Sequence, residues 1–204
     1  MPIHPLFPEP VYFSPLERTL TKAELKLINK YKKEASKNKG NDMSSNKYVL
    51  EHKIFKNLKK DLYEKIMEYF NKIVCSDTSA TPYFTQSWLN YTGPHDFHHR
   101  HTHPNSYVSG VFYINADRNV DYLNFYKKEP VIDLNFTQRN VFNSTVWRYP
   151  VNTGDVVLFP SYLEHGVEEV DKEDDAVTRI SLSFNVFLQG TLGAASRLTE
   201  AVLK

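Results

Sequence analysis

The sequence predicts an α+β fold in which two N-terminal helices support a jelly-roll or barrel of short strands. Helical periodicity is confined to the residues before Cys75. After it, seven short β-prone runs succeed one another with turn residues between them. Aromatic content is high and glycine scarce, with 13 Tyr and 13 Phe against 7 Gly. Aromatic and β-branched side chains suit a pleated, half-buried surface, which favours strands. Helices first and strands afterwards indicate α+β rather than alternating α/β.

The stretch to about Pro15 is extended, because each proline pushes its predecessor out of the helical region. Thr21 with Glu24 reads as a capping box opening a helix from Lys22 to about Ser36. Leu25, Ile28 and Tyr31 or Lys32 mark its inner face. Lys37–Asn46 reads as a loop. The lysines of this region read as a solvated face, since Glu24 and Glu34 interrupt them and no aromatics interleave. Phe55 to Val74 is the clearest helix, with Leu58, Leu62, Ile66, Phe70 and Ile73 recurring every three or four residues. The strand-like runs are Tyr83–Tyr91, Tyr107–Asn115, Tyr122–Tyr126, Val141–Tyr149, Asp155–Pro160, Gly166–Val170 and Val177–Phe187. Thr92-Gly93-Pro94 and Asn152-Thr153-Gly154 are among the turns that separate them. The tail from Gly190 reads as a short helix or a frayed end.

Composition excludes several classes of function. Net charge is +1 over 204 residues, so no global field steers the chain to nucleic acid or an anionic membrane. No stretch approaches the roughly 18 apolar residues needed to cross a bilayer. Cys75 is the only cysteine, which removes intrachain disulfides and points to a reducing, cytoplasmic compartment. The expectation is a soluble protein.

The chemistry concentrates in one segment. Five of the eight histidines fall within Pro94–Pro104. Imidazole is the commonest metal ligand, so this density points to a metal. In an extended segment residues two apart share a face, which puts His99, His101 and His103 on one side and His98 on the other. A pair two apart can hold one ion from one strand, and a third ligand must come from elsewhere. The best candidate is His165, after the turn at Gly154-Asp155, a short apolar strand and Pro160. Glu164, its neighbour, should face the opposite way. Structural zinc is the competing reading, but zinc sites usually recruit cysteine and Cys75 is remote.

Gln86-Ser-Trp88-Leu-Asn90, His101-x-His103-Pro-Asn-Ser106 and Ser109-Gly-Val-Phe-Tyr113, followed by Gly154-Asp155, His165 and Arg179-Ile-Ser181-Leu-Ser-Phe-Asn185, resemble a family of 2-oxoglutarate/Fe(II) oxygenases of marine bacteria and their phages, related to prolyl hydroxylases. The match covers roughly Tyr83–Leu188. The resemblance implies a double-stranded β-helix (a cupin-like jelly-roll) and one oxygenase domain over 1–204: a helical segment over 1–80, a core over 81–190 and a tail over 191–204. It implies Fe(II) held by His101, His103 and His165, with O2 and 2-oxoglutarate as co-reactants. Arg179 would then hold the far carboxylate of 2-oxoglutarate, for which a permanently charged fork is chemically suited. Ser181 shares its face, and Tyr113 and Asn90 match cosubstrate-binding positions. One departure stands out: the usual ligand set is two histidines and a carboxylate, and His103 occupies the carboxylate position. If His103 is not a ligand, Asp96 is the nearest preceding carboxylate.

The implied activity is hydroxylation of a protein residue such as proline, or of a small molecule, by a cytoplasmic enzyme (if phage-encoded, one acting in the host cytoplasm). Trp88, Phe97 and Tyr107 are candidates for the pocket wall, with core packing as the alternative. The composition argues against nucleic acid and membrane partners, and an exposed aromatic strand would suit a homodimer. Two other classes fit the residues: a three-histidine cupin-like enzyme without 2-oxoglutarate, and a non-catalytic jelly-roll binding module. Arg179 discriminates, since neither gives it a task beyond an ion pair with Asp174 or Asp175.

Overall fold

The computed structural model describes residues 3–77, 79–127, 134–169 and 179–203. The N-terminal stretch is not merely extended: Tyr12–Pro15 form strand β1. Helix α1 (Lys22–Lys33) opens at the expected capping box, the Thr21 hydroxyl accepting from the Glu24 amide at 3.2 Å while the Glu24 carboxylate accepts from the Thr21 amide at 2.7 Å. It stops short of Ser36, because Ser36–Lys37 form β2 and pair with β3 (Asp42–Met43) inside the expected loop. Its inner face is Glu24, Leu27 and Ile28, whereas Leu25 is 42 % exposed. Glu24 tolerates burial because Arg18 grips both its oxygens, at 3.0 and 2.9 Å.

Helix α2 (Lys56–Tyr69) runs into a π-helical turn, Phe70–Val74. Leu58, Leu62, Ile66 and Phe70 are buried as their spacing predicts. The wider π turn shifts the helical phase beyond Phe70, so Ile73 is 43 % exposed instead of buried.

The strands then run as β4 (Ala80–Thr92), β5 (His98–His101), β6 (Val108–Asn115), β7 (Tyr122–Tyr126), β8 (Val146–Pro150), β9 (Asp155–Pro160), β10 (His165–Val167), β11 (Arg179–Leu192) and β12 (Ala201–Leu203). The run expected from Val141 starts only at Val146, because Asn140 and Asn143 side chains close a turn on backbone amides at 2.9 and 2.8 Å. Val170, Val177 and Thr178, at the ends of two expected strands, lie outside the described residues. The tail is neither helical nor frayed: after a 3₁₀ turn, β12 pairs with Gly190–Leu192.

These strands make two antiparallel sheets, the arrangement of a double-stranded β-helix. The larger has the order β1-β9-β6-β11-β4-β3-β2, with β12 on the far end of β11; the smaller is β5-β10-β7-β8. Leu89, Tyr91, Phe112, Leu158, Leu182 and Phe184 point away from the smaller sheet and pack on both helices in one core. A second core, including Val111, Leu123, Phe125, Val157 and Phe159, lies between the sheets. The alternation along β11 is complete: Leu182, Phe184 and Val186 go to the helical side, and Arg179, Ser181 and Asn185, all buried, go to the space between the sheets. A buried polar face needs partners, and here it lines a cavity.

Candidate active site

The larger sheet sets out its polar residues in rows. Register pairs Arg179 with Thr92, then Ser181 with Asn90 on one side and Tyr113 on the other. Ser183 comes next, between Trp88 and Val111, and then Asn185 between Gln86 and Ser109. Successive rows are two residues apart, or about 6.6 Å. The smaller sheet faces them with histidines. Asn90, His101, His103, Tyr113, His165, Arg179 and Ser181 thus line one cavity, with Trp88, His98 and Ser183 beside them.

His101 ends β5, His103 lies just beyond it and His165 opens β10, directly opposite His101 in the ladder. The candidate ligand atoms of the three lie within 4.8 Å of one another. His101 Nδ1–H donates to the His99 carbonyl at 2.8 Å, and His165 Nδ1–H donates to the Leu163 carbonyl at 2.9 Å. A carbonyl only accepts, so both rings are held with a bare Nε2 facing the cavity. The Nε2 atoms of His103 and His165 are 3.2 Å apart. Two nitrogens bound at right angles to one ion, each at about 2.1 Å, would be roughly 3.0 Å apart.

Burial keeps these rings neutral. It depresses the His165 pKa to about 2, with His101 adding repulsion, and that of His103 to about 4. His101 is depressed for the same reason, partly offset by its bond to the His99 carbonyl. Neutral imidazole is the ligand form, so protons do not compete for the site near neutrality.

At the other end Arg179 is 3 % exposed. Its Nη2 donates to Thr92 Oγ1 at 3.2 Å and its Nη1 to the Tyr122 carbonyl at 3.4 Å, while Nε has no partner. Among the described residues no carboxylate pairs with it. A buried guanidinium with donors to spare is suited to an anion. Asn90 is anchored by donating to Ser183 Oγ at 2.9 Å. Burial pushes the Tyr113 hydroxyl well above its ordinary pKa, so it stays a donor. Trp88 reaches within 5.7 Å of the His103 ring.

His98 is a site residue that strand alternation misses. Four residues of β5 oppose three of β10, because His101 pairs with His165 and His98 with Val167. This bulge turns His98 inward, stacked on His101 at 4.6 Å, and turns Arg100 outward over the Tyr126 ring at 3.8 Å. Burial takes the His98 pKa to about 3, with His101, His99 and Arg179 adding repulsion. Gly166 makes the bulge possible, since a Cβ there would sit 2.8 Å from the His98 carbonyl. Glu164 is exposed, as expected. Asp96 caps the Gly93 amide at 2.7 Å, outside the histidine group. Phe97 and Tyr107 leave the pocket: Phe97 covers Gly40, and Tyr107 packs on Phe70 at 5.8 Å.

Residues 86–185 match the family model described as "Putative 2OG-Fe(II) oxygenase". The chain belongs to the 2OG-Fe(II) oxygenases. No curated protein sequence matches this 2OG-Fe(II) oxygenase. Solved structures share its fold at low identity. A Pseudomonas putida prolyl-4-hydroxylase is 13 % identical with a TM-score of 0.59, covering 87 % of this chain and 92 % of that one. A Trichoplax adhaerens prolyl hydroxylase, in complex with a hypoxia-inducible-factor peptide fragment, is 14 % identical with a TM-score of 0.60, covering 87 % and 83 %. HygX of Streptomyces hygroscopicus, with nickel, 2-oxoglutarate and hygromycin B bound, is 10 % identical with a TM-score of 0.56, covering 87 % and 82 %.

The oxygenase's own residues fit both groups the family uses. Three convergent imidazoles suit a divalent ion, and a buried guanidinium that, among the described residues, meets no carboxylate suits a dicarboxylate.

Proposed function

We propose that this oxygenase holds Fe(II) through His101, His103 and His165 and 2-oxoglutarate through Arg179, Ser181, Tyr113 and Asn90. It would hydroxylate a C–H bond on a protein residue such as proline, or on a small molecule. The observation that carries the reading is the meeting in one cavity of three converging imidazoles and a buried Arg179 that, among the described residues, pairs with no carboxylate. When bound, iron with 2-oxoglutarate and O2 supplies the oxidation, giving succinate, CO2 and a hydroxylated product.

The protein's contribution is placement. Arg179 fixes one end of the cosubstrate with a charge-assisted bond, and Ser181, its neighbour on the same face, adds a hydroxyl. Asn90 and Tyr113 flank Ser181 in the same row and restrict the cosubstrate sideways. Trp88 and His98 wall the cavity and keep water from the reacting atoms. The two substrate classes follow what structures of this fold hold: a hypoxia-inducible-factor peptide fragment in the Trichoplax enzyme and hygromycin B in HygX. We read residues 1–204 as one oxygenase unit acting in the cytoplasm. Its lone Cys75 suits a reducing compartment, and among the described residues no helix is long and apolar enough to cross a membrane.

Anaerobic reconstitution with Fe(II), followed by 2-oxoglutarate, tests the reading. The expected result is a weak visible charge-transfer band that is lost in His101→Ala and His165→Ala and weakened in Arg179→Ala. Metal binding without that band would favour a cupin-like enzyme that does not use 2-oxoglutarate. Absence of metal binding would overturn the proposal.

A further inference from the structure

His103 stands where a carboxylate is usual. A carboxylate ligand has no tautomer to set, but an imidazole binds a metal through Nε2 only if its proton sits on Nδ1. His101 and His165 settle this with backbone carbonyls. His103 instead has Asn185, whose amide lies 3.4 Å from its Nδ1. Asn185 is 8 % exposed, and behind it runs a ladder of hydroxyls. Ser109 Oγ donates to Asn185 Oδ1 at 3.0 Å and lies 2.9 Å from Ser161 Oγ, which donates to Ser106 Oγ at 2.8 Å. Ser106 Oγ in turn donates to the carbonyls of Val108 and Val186, at 3.1 and 3.2 Å.

Hydrogens can be counted along this ladder, because each hydroxyl has one. With Asn185 Nδ2 towards His103, the amide donates to Nδ1 and the ring proton goes to Nε2, pointing at His165 Nε2. Ser109 then gives its hydrogen to Asn185 and Ser161 gives its own to Ser106. The Ser109–Ser161 contact is left without one. Turning the amide over exchanges two groups of the same size. His103 Nδ1–H then donates to Asn185 Oδ1, Nδ2–H to Ser109, Ser109 to Ser161, Ser161 to Ser106 and Ser106 to the carbonyls. Every contact from His103 to Ser106 now holds one hydrogen, and the two carbonyls share the hydrogen of Ser106. The cost is two bare Nε2 atoms facing each other across 3.2 Å, which a cation between them removes.

We propose that Asn185 is a positioning residue whose amide turns over when the metal binds, holding His103 in its ligand tautomer with the Ser109–Ser161–Ser106 ladder as its support. This rests on reading His103 and His165 as ligands. It assigns a task to a buried amide and three hydroxyls, and it explains how a neutral ring can serve at a carboxylate position.

Two measurements test it. In wild-type protein with ¹⁵N-labelled histidine, long-range ¹H–¹⁵N spectra would be recorded without metal and with Zn(II). His165 should carry its proton on Nδ1 throughout, while His103 should move from Nε2–H to Nδ1–H on adding zinc. Separately, Co(II) affinity would be measured by competition with a chromophoric chelator. Asn185→Leu should bind about 10- to 100-fold more weakly. Asn185→Asp, which accepts from Nδ1–H, should keep the wild-type affinity. If zinc shifts all three histidines but Asn185→Leu binds Co(II) as wild type does, the role of Asn185 is overturned and the metal site stands. If zinc shifts none of them, the metal site falls as well. Should Asn185→Leu fail to fold, the wild-type spectra decide: a His103 tautomer unchanged by zinc overturns the proposal.

Discussion

Replacing Arg179 by Met should stabilise the ligand-free protein while disabling it. The guanidinium is buried, and among the described residues its two donated bonds are long and Nε donates to nothing. An uncompensated buried charge costs about 3–5 kcal/mol, and two neutral acceptors return roughly 1 kcal/mol each. Met fills the same channel without that cost, so the variant should gain about 2 kcal/mol, or roughly 4–8 °C in Tm for a chain of this size. Ligand binding should move the other way. Losing a desolvated charge pair costs about 2–5 kcal/mol, a fall of roughly 30- to 5,000-fold in affinity for 2-oxoglutarate. At a concentration about 100 times the wild-type Kd, 2-oxoglutarate adds roughly 2.7 kcal/mol to wild type and under about 1 kcal/mol to the variant. Thermal unfolding under argon with Ni(II), with and without 2-oxoglutarate, reads both effects. The variant's lead in melting temperature should vanish at the smallest of these affinity losses and invert at the larger ones when the ligand is added. A variant that melts below wild type without ligand, or that keeps the full ligand shift, would refute the idea of Arg179 as an anion-binding group kept at a cost in stability.

Other perturbations separate the scaffold from the site. Gly166→Val forces a side chain against the His98 and His99 carbonyls, so metal affinity by chelator competition should fall, with about 1–3 kcal/mol lost in urea unfolding. Leu158→Ala, in the core on the helical side, should cost about 2–5 kcal/mol in urea and leave the metal affinity of the folded fraction unchanged. The metal-free protein should lose stability on acidification. His165, His103 and His98 have folded-state pKa values of about 2, 4 and 3 against an ordinary 6.5, so the unfolded chain takes up protons first. Stability is therefore full above pH 6.5 and falls below it, by about 1.4 kcal/mol at pH 5.5 from His165 alone. Urea midpoints at pH 7.5, 6.5 and 5.5 check this, and a flat profile would show that the rings are not held neutral.

The sequence was legible where local chemistry and long-range structure agree. Imidazole density singles out the five-histidine segment, the family resemblance marks His101 and His103 within it, and the Gly154-Asp155 turn with its following strand leads to His165. The alternation Ile-Ser-Leu-Ser-Phe-Asn over 180–185 reads correctly as a strand. What it hides is that both faces are buried, the apolar one by α2 and the polar one by the smaller sheet. Ser183 and Asn185 therefore pass for ordinary solvent-side residues. His98 is hidden for a different reason. Its direction depends on a bulge created by pairing with β10, more than sixty residues away, and period-two reasoning cannot register an extra residue. Ile73 is the helical equivalent, displaced by a π turn that no propensity announces.

The division of the site between two sheets also has a consequence for its assembly. Arg179, Ser181 and Asn90 sit on β11 and β4, joined over twelve residue pairs from Arg179–Thr92 to Gly190–Ala80. His101 sits on β5, an edge strand joined to β10 at two positions with a bulge between them. Backbone amides in the first region should exchange with solvent only on global unfolding, and those of β5 through local fraying. On the proposed reading the anion end would be a fixed template and the metal end a hinged jaw. If the three histidines take an ion, its binding would tie this loose edge strand, through His101 and His165, to the rest of the barrel.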